Sequence, residues 1–194
     1  FMESVIGLIR GVVREETLII SIAAGITAEA IKTALGFDAK VVLVMPNTPL
    51  MVGCGASALV KRAPVSDEEF EKVCGCFSSC GVVSTVEEKD MDTVTAVSGS
   101  SPAFVFRFAK DLIQAAVDRG LDAAEAEKLV SGTLLGSAKM ILESGQTVDA
   151  LIRMVTSPNG TTEAGLRAMD AAGFDQAVDQ AVDAAVKRSI ELQA

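Results

Sequence analysis

The chain has 194 residues, of which 49% are hydrophobic, and its 26 acidic residues outnumber 17 basic ones to give a formal net charge of −9. No apolar run reaches the ~18 residues of a membrane span, and the acidic balance argues against nucleic-acid binding, which needs clustered Lys and Arg. Histidine, tyrosine and tryptophan are absent, which excludes Ser-His-Asp hydrolases and dehydrogenases that use a His or a Tyr-Lys pair.

Strand and helix patterns alternate over the first 86 residues. Apolar stretches of strand length lie at residues 17–23, 40–45, 56–61 and 81–86, and the first is apolar throughout, as in a buried parallel sheet. Helices are predicted at residues 3–14, 27–36 and 66–79. Thr27 and Gly36 suit a helix start and end, and Ser66 with Glu69 forms a capping box. This alternation predicts an α/β sheet with crossover connections.

From residue 87 onward the strand patterns stop and helical patterns follow. Helices are predicted at residues 91–97, 102–119, 123–143, 148–155, 162–172 and 176–192. Pro102 suits a first helical turn, Gly120 suits the position after a helix, and Asp122 suits a cap. The 123–143 helix is apolar or small around most of its circumference, which predicts burial in a deep core or between subunits.

The four cysteines are Cys54, Cys74, Cys76 and Cys80. Their spacing is neither that of a zinc site nor that of a disulfide framework, so we predict no metal site and expect small buried side chains. The first residues show no basic region followed by a cleavage site, and we expect a cytoplasmic protein.

Two segments follow predicted strands at the edge where open α/β sheets bind ligands. In Ser21–Gly25 the small side chains would let a cofactor approach the backbone, although a plain strand-to-helix turn has the same composition. In Met45–Pro49, Asn47 and Thr48 could contact a ligand or only stabilise a turn.

Two further segments lie among the predicted helices. Ser98–Ala103 indicates a corner between two helices. Ser157–Glu163 combines a Pro-Asn-Gly turn with a helix start, which brings free N–H groups and a hydroxyl together and suits a carboxylate ligand. Plain capping of that helix by Thr161 or Thr162 is the alternative interpretation.

In their order and spacing these four segments resemble the pyrroline-5-carboxylate reductase family, over essentially the whole chain. The resemblance implies an α/β domain at 1–87, the C-terminal remainder of a Rossmann-like NAD(P)-binding domain, and an all-helical substrate-binding and dimerisation domain at 88–194. It implies reduction of 1-pyrroline-5-carboxylate to L-proline with NADPH or NADH, by a homodimer or higher homo-oligomer. The implied cofactor-binding residues are Ala23, Ala24, Pro46, Asn47 and Thr48. The implied substrate-binding residues are Glu88, Ser157, Gly160, Thr161 and Thr162, with Thr162 as the catalytic residue.

The sequence departs from the family pattern at three places. No strand and glycine-rich phosphate-binding turn precede residue 17, so we expect an N-terminally incomplete chain that is inactive in this form and is restored by an upstream segment. Ser101 and Asn159 stand where glycine is usual; we expect a shifted corner at Ser101, while Asn tolerates positive φ comparatively well. Two alternatives stay open: a related imine or keto-acid reductase, and a non-catalytic oligomerising fragment.

Overall fold

The chain forms two compact units in a computed structural model that describes residues 2–192. One unit comprises Phe1–Pro102 with Ala181–Ala194, and the other comprises Ala103–Gln180. The first contains the sheet and the second is helical. The predicted order of an α/β part followed by an all-α part is therefore observed, while the predicted domain boundary near residue 87 stays a prediction.

The sheet has four strands in the order β1-β2-β3-β4, which are Leu18–Ser21, Lys40–Met45, Gly55–Lys61 and Gly81–Thr85. The β1–β2 and β3–β4 pairs are parallel, and the β2–β3 pair is antiparallel. Only a short 3₁₀ segment, Thr48–Val52, separates β2 from β3. A parallel crossover needs a dozen or more residues, so this connection returns the chain antiparallel, and the sheet is mixed rather than built from crossovers alone.

Helices cover both faces of the sheet. Helices α1 (Met2–Ile9) and α2 (Ala28–Leu35) contribute to one buried cluster with β2 and β3, formed by Ile6, Ala28, Ile31, Leu35, Ala39, Val41, Leu43 and Val60. Helix α3 (Asp67–Ser78) contributes to a second, formed by Val42, Val44, Leu59, Val65, Phe70 and Val73. Burial on both faces explains why β2 is apolar at successive positions.

The predicted helix ends of this unit are confirmed. The Thr27 hydroxyl accepts the Ala30 N–H at 3.1 Å, and Gly36 ends α2 with φ of 86°. The Ser66 hydroxyl accepts the Glu69 N–H at 3.2 Å, while the Glu69 carboxylate accepts the Ser66 N–H at 2.9 Å.

The first two elements are shorter than predicted. Helix α1 ends at Ile9 rather than at Arg14, where Gly11 weakens the helix. Strand β1 spans Leu18–Ser21 and pairs with β2 alone within the described residues. Ile20 is 42% exposed. The predicted strand of a parallel pair is therefore confirmed over Leu18–Ser21, whereas its predicted burial is wrong at Ile20.

The predicted corner at residues 98–101 is also wrong. Helix α4 (Met91–Val94) continues through a π-helical segment, Thr95–Ser100, into α5 (Ser101–Val117). Ser101 has a helical φ of −63°, and its hydroxyl donates to the Val97 carbonyl at 2.6 Å. The backbone at this position does not need a positive φ, so the Ser101 side chain does not displace the backbone.

The second unit contains the rest of α5 followed by α6 (Ala123–Glu143), α7 (Val148–Met154), α8 (Thr161–Ala171) and the start of α9 (Phe174–Glu191). The Asp122 carboxylate caps α6 by accepting the Ala124 and Glu125 N–H groups at 2.9 and 3.2 Å. Many apolar side chains of α6 face solvent in the single chain, among them Leu129, Leu135, Ile141 and Leu142. None of the described helices is long and apolar enough to cross a membrane.

The cysteines are less buried than expected. Cys54 and Cys76 are exposed, whereas Cys74 and Cys80 are half-buried. Cys74 packs against the α3 side of the sheet, and Cys76 faces the other way, as expected for alternate helical positions.

Candidate functional site

A cavity of about 400 Å³ opens at the carboxyl ends of β1 and β2 in the first unit. Its lining residues come from both strand ends, the start of α2 and the segment around α4: Ser21, Ala23, Gly25, Ile26, Thr27, Glu29, Leu43, Val44, Met45, Arg62, Glu88, Lys89, Met91, Asp92 and Thr95. Ligands of open α/β sheets bind at this edge. The cavity therefore lies where a cofactor was predicted.

We call Ala23–Gly25 the cofactor turn. Gly25 has φ of 73°, which is favourable for glycine and strained for larger residues. Ala23 and Gly25 line the cavity, and Ala24 is exposed. The turn has no side chain beyond Cβ, so a flat ring can approach its backbone. These properties fit a nicotinamide.

The second predicted cofactor segment, Pro46–Thr48, follows β2 directly but does not line the cavity. The Asn47 side-chain carbonyl accepts the Ala56 N–H at 2.9 Å, while its amide NH₂ group makes no hydrogen bond within residues 2–192. Gly99 lies so close to Met45 that a Cβ on it would be 3.3 Å from the Met45 Sδ. The structure thus places the segment Ser98–Ser101 beside the end of β2.

Glu88, predicted to bind substrate, lies in the wall of the cavity with its side chain only 15% exposed. One carboxylate oxygen accepts the Ala28 N–H at 3.0 Å, and the other pairs with the Arg62 guanidinium at 2.6 Å. Glu88 therefore caps α2. Arg62 was missed because no sequence pattern joins residues that far apart, and the substrate role of Glu88 stays a prediction.

The predicted carboxylate site lies in the second unit. We call Ser157–Thr162 the carboxylate loop. Asn159 has φ of 57°, the positive φ anticipated from the sequence. Gly160 is the N-cap of α8 and provides no side-chain hydrogen bond. A Cβ on Gly160 would collide with the Ser157 hydroxyl.

The first turn of α8 has unused donors. The N–H groups of Thr161, Thr162 and Glu163 make no hydrogen bond within residues 2–192, and neither threonine hydroxyl caps the helix. The capping interpretation of Thr161 and Thr162 was therefore wrong. Free N–H groups at a helix N-terminus attract anions, so the loop can bind a carboxylate.

Glu163 stabilises this loop from within α8. Its carboxylate accepts the Asn159 N–H at 2.6 Å and pairs with Arg167 at 2.7 Å. Sequence reasoning overlooked this role, although the i,i+4 spacing of Glu163 and Arg167 is the signal for such a pair. The Asn159 contact joins the backbone of the Pro-Asn-Gly turn to the first turn of α8.

Comparison with known proteins identifies the family of this chain. A family model described as pyrroline-5-carboxylate reductase dimerisation matches residues 88–192. The pyrroline-5-carboxylate reductase of Escherichia coli is 38% identical over 191 residues, which are 98% of this chain and 71% of that protein. The chain belongs to the pyrroline-5-carboxylate reductase family. The Pseudomonas aeruginosa reductase is 41% identical over 192 residues, with 98% of this chain and 70% of that protein covered.

Solved structures of the family share the fold. A Plasmodium falciparum pyrroline carboxylate reductase with NADP bound superposes with a TM-score of 0.92 at 35% identity, covering 100% of this chain and 77% of that one. A Coxiella burnetii pyrroline-5-carboxylate reductase gives 0.93 at 34% identity, covering 100% of this chain and 72% of that one. The predicted Rossmann-like part followed by a helical dimerisation part is thereby confirmed.

Proposed function

We propose that this protein reduces the cyclic imine 1-pyrroline-5-carboxylate to L-proline with NADPH or NADH. The observation that supports the substrate is the start of α8, where three N–H groups and the Thr162 hydroxyl have no partner within residues 2–192. A carboxylate would satisfy them. Family membership supports the reaction.

The carboxylate loop binds and orients the substrate in this proposal. The backbone around Gly160 and Thr161 and the Thr162 hydroxyl donate to the carboxylate, and the absence of a side chain on Gly160 keeps the backbone accessible. Thr162 is proposed as the catalytic residue because its hydroxyl orients the bound carboxylate and so the ring attached to it. Ser157 and Glu88 are proposed as further substrate contacts.

The cofactor turn and the segment after β2 hold the nicotinamide. We propose Ala23, Ala24, Pro46, Asn47 and Thr48 for this role. Small side chains at the cofactor turn allow close approach, and the unused Asn47 amide can donate to the carboxamide of the cofactor. NAD(P)H supplies the hydride.

The reaction needs little acid-base help from the chain. The protonated C=N group accepts the hydride at carbon, its π electron pair moves to nitrogen, and the secondary amine that forms then takes up a solvent proton. A positively charged imine is already activated, which explains why a site without histidine or tyrosine can suffice. Orientation of the two reactants provides much of the rate enhancement.

We propose that the enzyme works as a homodimer or higher homo-oligomer through its helical part, which the dimerisation family model matches. A cytoplasmic location is proposed as well. It is supported by the four cysteines, which are all free thiols, as is usual in a reducing compartment.

The test is NADPH oxidation that depends on 1-pyrroline-5-carboxylate. Because the chain covers 71% of the E. coli reductase, the assay is run on residues 1–194 and on a chimera. The chimera joins the E. coli reductase segment that precedes its matched region to Phe1. We expect turnover by the chimera, with proline as product and much slower reduction of cyclic imines that lack a carboxylate. A chimera that folds, binds NADPH and leaves the substrate unreduced would refute the proposal.

A further inference from the structure

The end of α9 returns to the first unit. Of the described residues, Ala181–Leu192 pack with the sheet part of the chain, whereas the start of α9 belongs to the helical unit. The positions there that are not exposed share one face of the helix: Ala181, Val182, Ala185, Val186 and Ser189. Ser189 is the most buried of them at 4% exposed.

Two contacts join this helix end to the walls of the cavity. The Ser189 hydroxyl donates to the Asp92 carboxylate at 2.7 Å. At the other wall, a Cβ on Gly25 would lie 3.5 Å from the backbone carbonyl and the Cβ of Leu192, which places Leu192 against the cofactor turn. Asp92 and Gly25 both line the cavity.

We propose that the end of α9 together with the residue after it, Ser189–Leu192, is a brace that positions the cofactor turn for nicotinamide binding. Ser189 and Leu192 are separated by less than one helical turn, so the brace fixes the distance between the Asp92 wall and the Gly25 wall. This proposal rests on the proposed function only in naming the nicotinamide cofactor as the ligand of the turn. Ser189 and Leu192 are positioning residues, because they act through Asp92 and Gly25.

The brace is tested first without cofactor, by hydrogen-deuterium exchange on the chain of 194 residues. Ser189→Ala removes the hydroxyl, and deletion of residues 192–194 removes the contact with Gly25. Each is expected to raise exchange of the Ala28, Ala30 and Ile31 amides about tenfold, because these N–H groups are hydrogen-bonded shortly after the cofactor turn and are protected while the turn is held in place. Exchange in β3 should not change. The controls are Ile190→Ala, an exposed residue of the same turn, and Ser78→Ala, an exposed serine of α3.

The second readout is steady-state kinetics in the chimera. Both brace variants should raise KM for NADPH about three- to tenfold, with KM for 1-pyrroline-5-carboxylate changed less than twofold. Unchanged exchange at Ala28, Ala30 and Ile31, or a uniform rise throughout the first unit, would overturn the brace. If the brace variants raise amide exchange beside the cofactor turn but the chimera has no reductase activity, the brace is supported and the proposed function is refuted.

Discussion

Thr162 is the residue whose surroundings most directly link structure to chemistry. It is the second residue of α8, and its hydroxyl and N–H have no partner within residues 2–192. A threonine that is left out of the capping of its own helix is available to a ligand. Its loss should therefore affect binding more than folding.

We predict that Thr162→Ala raises KM for 1-pyrroline-5-carboxylate in the chimera about ten- to a hundredfold. A hydrogen bond to a charged group contributes about 1.5–3 kcal/mol, and kcat falls too if the ring loses its orientation. The melting temperature should change little. Thr147→Ala is the matched control, because the Thr147 hydroxyl accepts the Ala150 N–H at the start of α7 and its loss should cost about 1 kcal/mol of stability with normal KM. Normal KM in Thr162→Ala would remove this residue from the site.

Glu88 has a structural role that can be separated from a role in binding. Glu88→Ala leaves the Ala28 N–H and Arg62 without their partner, and we predict a loss of about 1–2 kcal/mol of stability. Arg62→Gln should have little effect on stability because the Arg62 side chain is 57% exposed and such ion pairs contribute little. The measurement is urea denaturation. If Glu88 also contacts substrate, KM for the imine rises in Glu88→Ala and stays normal in Arg62→Gln. Unchanged stability of Glu88→Ala would contradict the capping role.

At the scale of elements, the Glu69 carboxylate stabilises the start of α3, and its pKa is lowered in the folded state. The Lys40 ammonium, 2.6 Å from Glu69, and the Ser66 N–H together lower the pKa of the Glu69 carboxyl from 4.5 to about 2. The folded state thus favours the ionised form. Its stabilisation is complete above the unfolded pKa and is lost as pH falls through the folded one.

We therefore predict that Glu69→Gln lowers the melting temperature at neutral pH. The difference in melting temperature between this variant and wild type should shrink as the pH falls from about 4.5 to about 2. The control is Glu71→Gln on the same helix, since Glu71 makes no salt bridge within residues 2–192. Calorimetry across this pH range measures both differences. A gap that is independent of pH would mean that the Glu69 charge contributes nothing to the folded state.

The elements also show which structures local sequence can predict. Helix α6 has the predicted limits, because Asp122 and the residues after it form a cap without help from elsewhere. The π-helical segment at Thr95–Ser100 could not be predicted, since no local residue pattern distinguishes it from a corner, and the approach of its Gly99 to Met45 spans a long sequence separation. The carboxylate loop was predictable because its turn and helix start are contiguous in the chain. The Glu88–Arg62 pair was not, because tertiary structure alone brings the two together.

At the scale of the whole molecule, the sequence pattern predicts two parts but not the return of α9. Periodicity identifies a helix over 176–192, and the structure gives Phe174–Glu191. The unit that its end joins could not be predicted, because the contact seen there joins Ser189 and Asp92, which are 97 residues apart. The apolar face of α6 was predictable, since a helix that is apolar around most of its circumference needs a partner on several sides.

That apolar face gives the last prediction, a stable dimer. Leu135 and Leu142 on α6 are 67% and 69% exposed in the single chain, and the family model for dimerisation matches this region. Obligate interfaces bury roughly 2,000 Å² or more and are rich in apolar contacts. Sedimentation velocity should show a dimer or a larger assembly down to micromolar chain concentrations.

Substitution of α6 tests where the subunits meet. Leu135→Glu combined with Leu142→Glu places two charges in the proposed interface. We expect the dissociation constant of the dimer to rise at least about thirtyfold, which corresponds to ~2 kcal/mol. Leu8→Glu is the matched control, because Leu8 is 84% exposed on α1 of the other unit and should leave the dimer intact. Circular dichroism confirms that the helices persist in each variant. A wild-type chain that sediments as a monomer, or a double variant that dimerises as tightly as wild type, would show that this face of α6 does not form the interface.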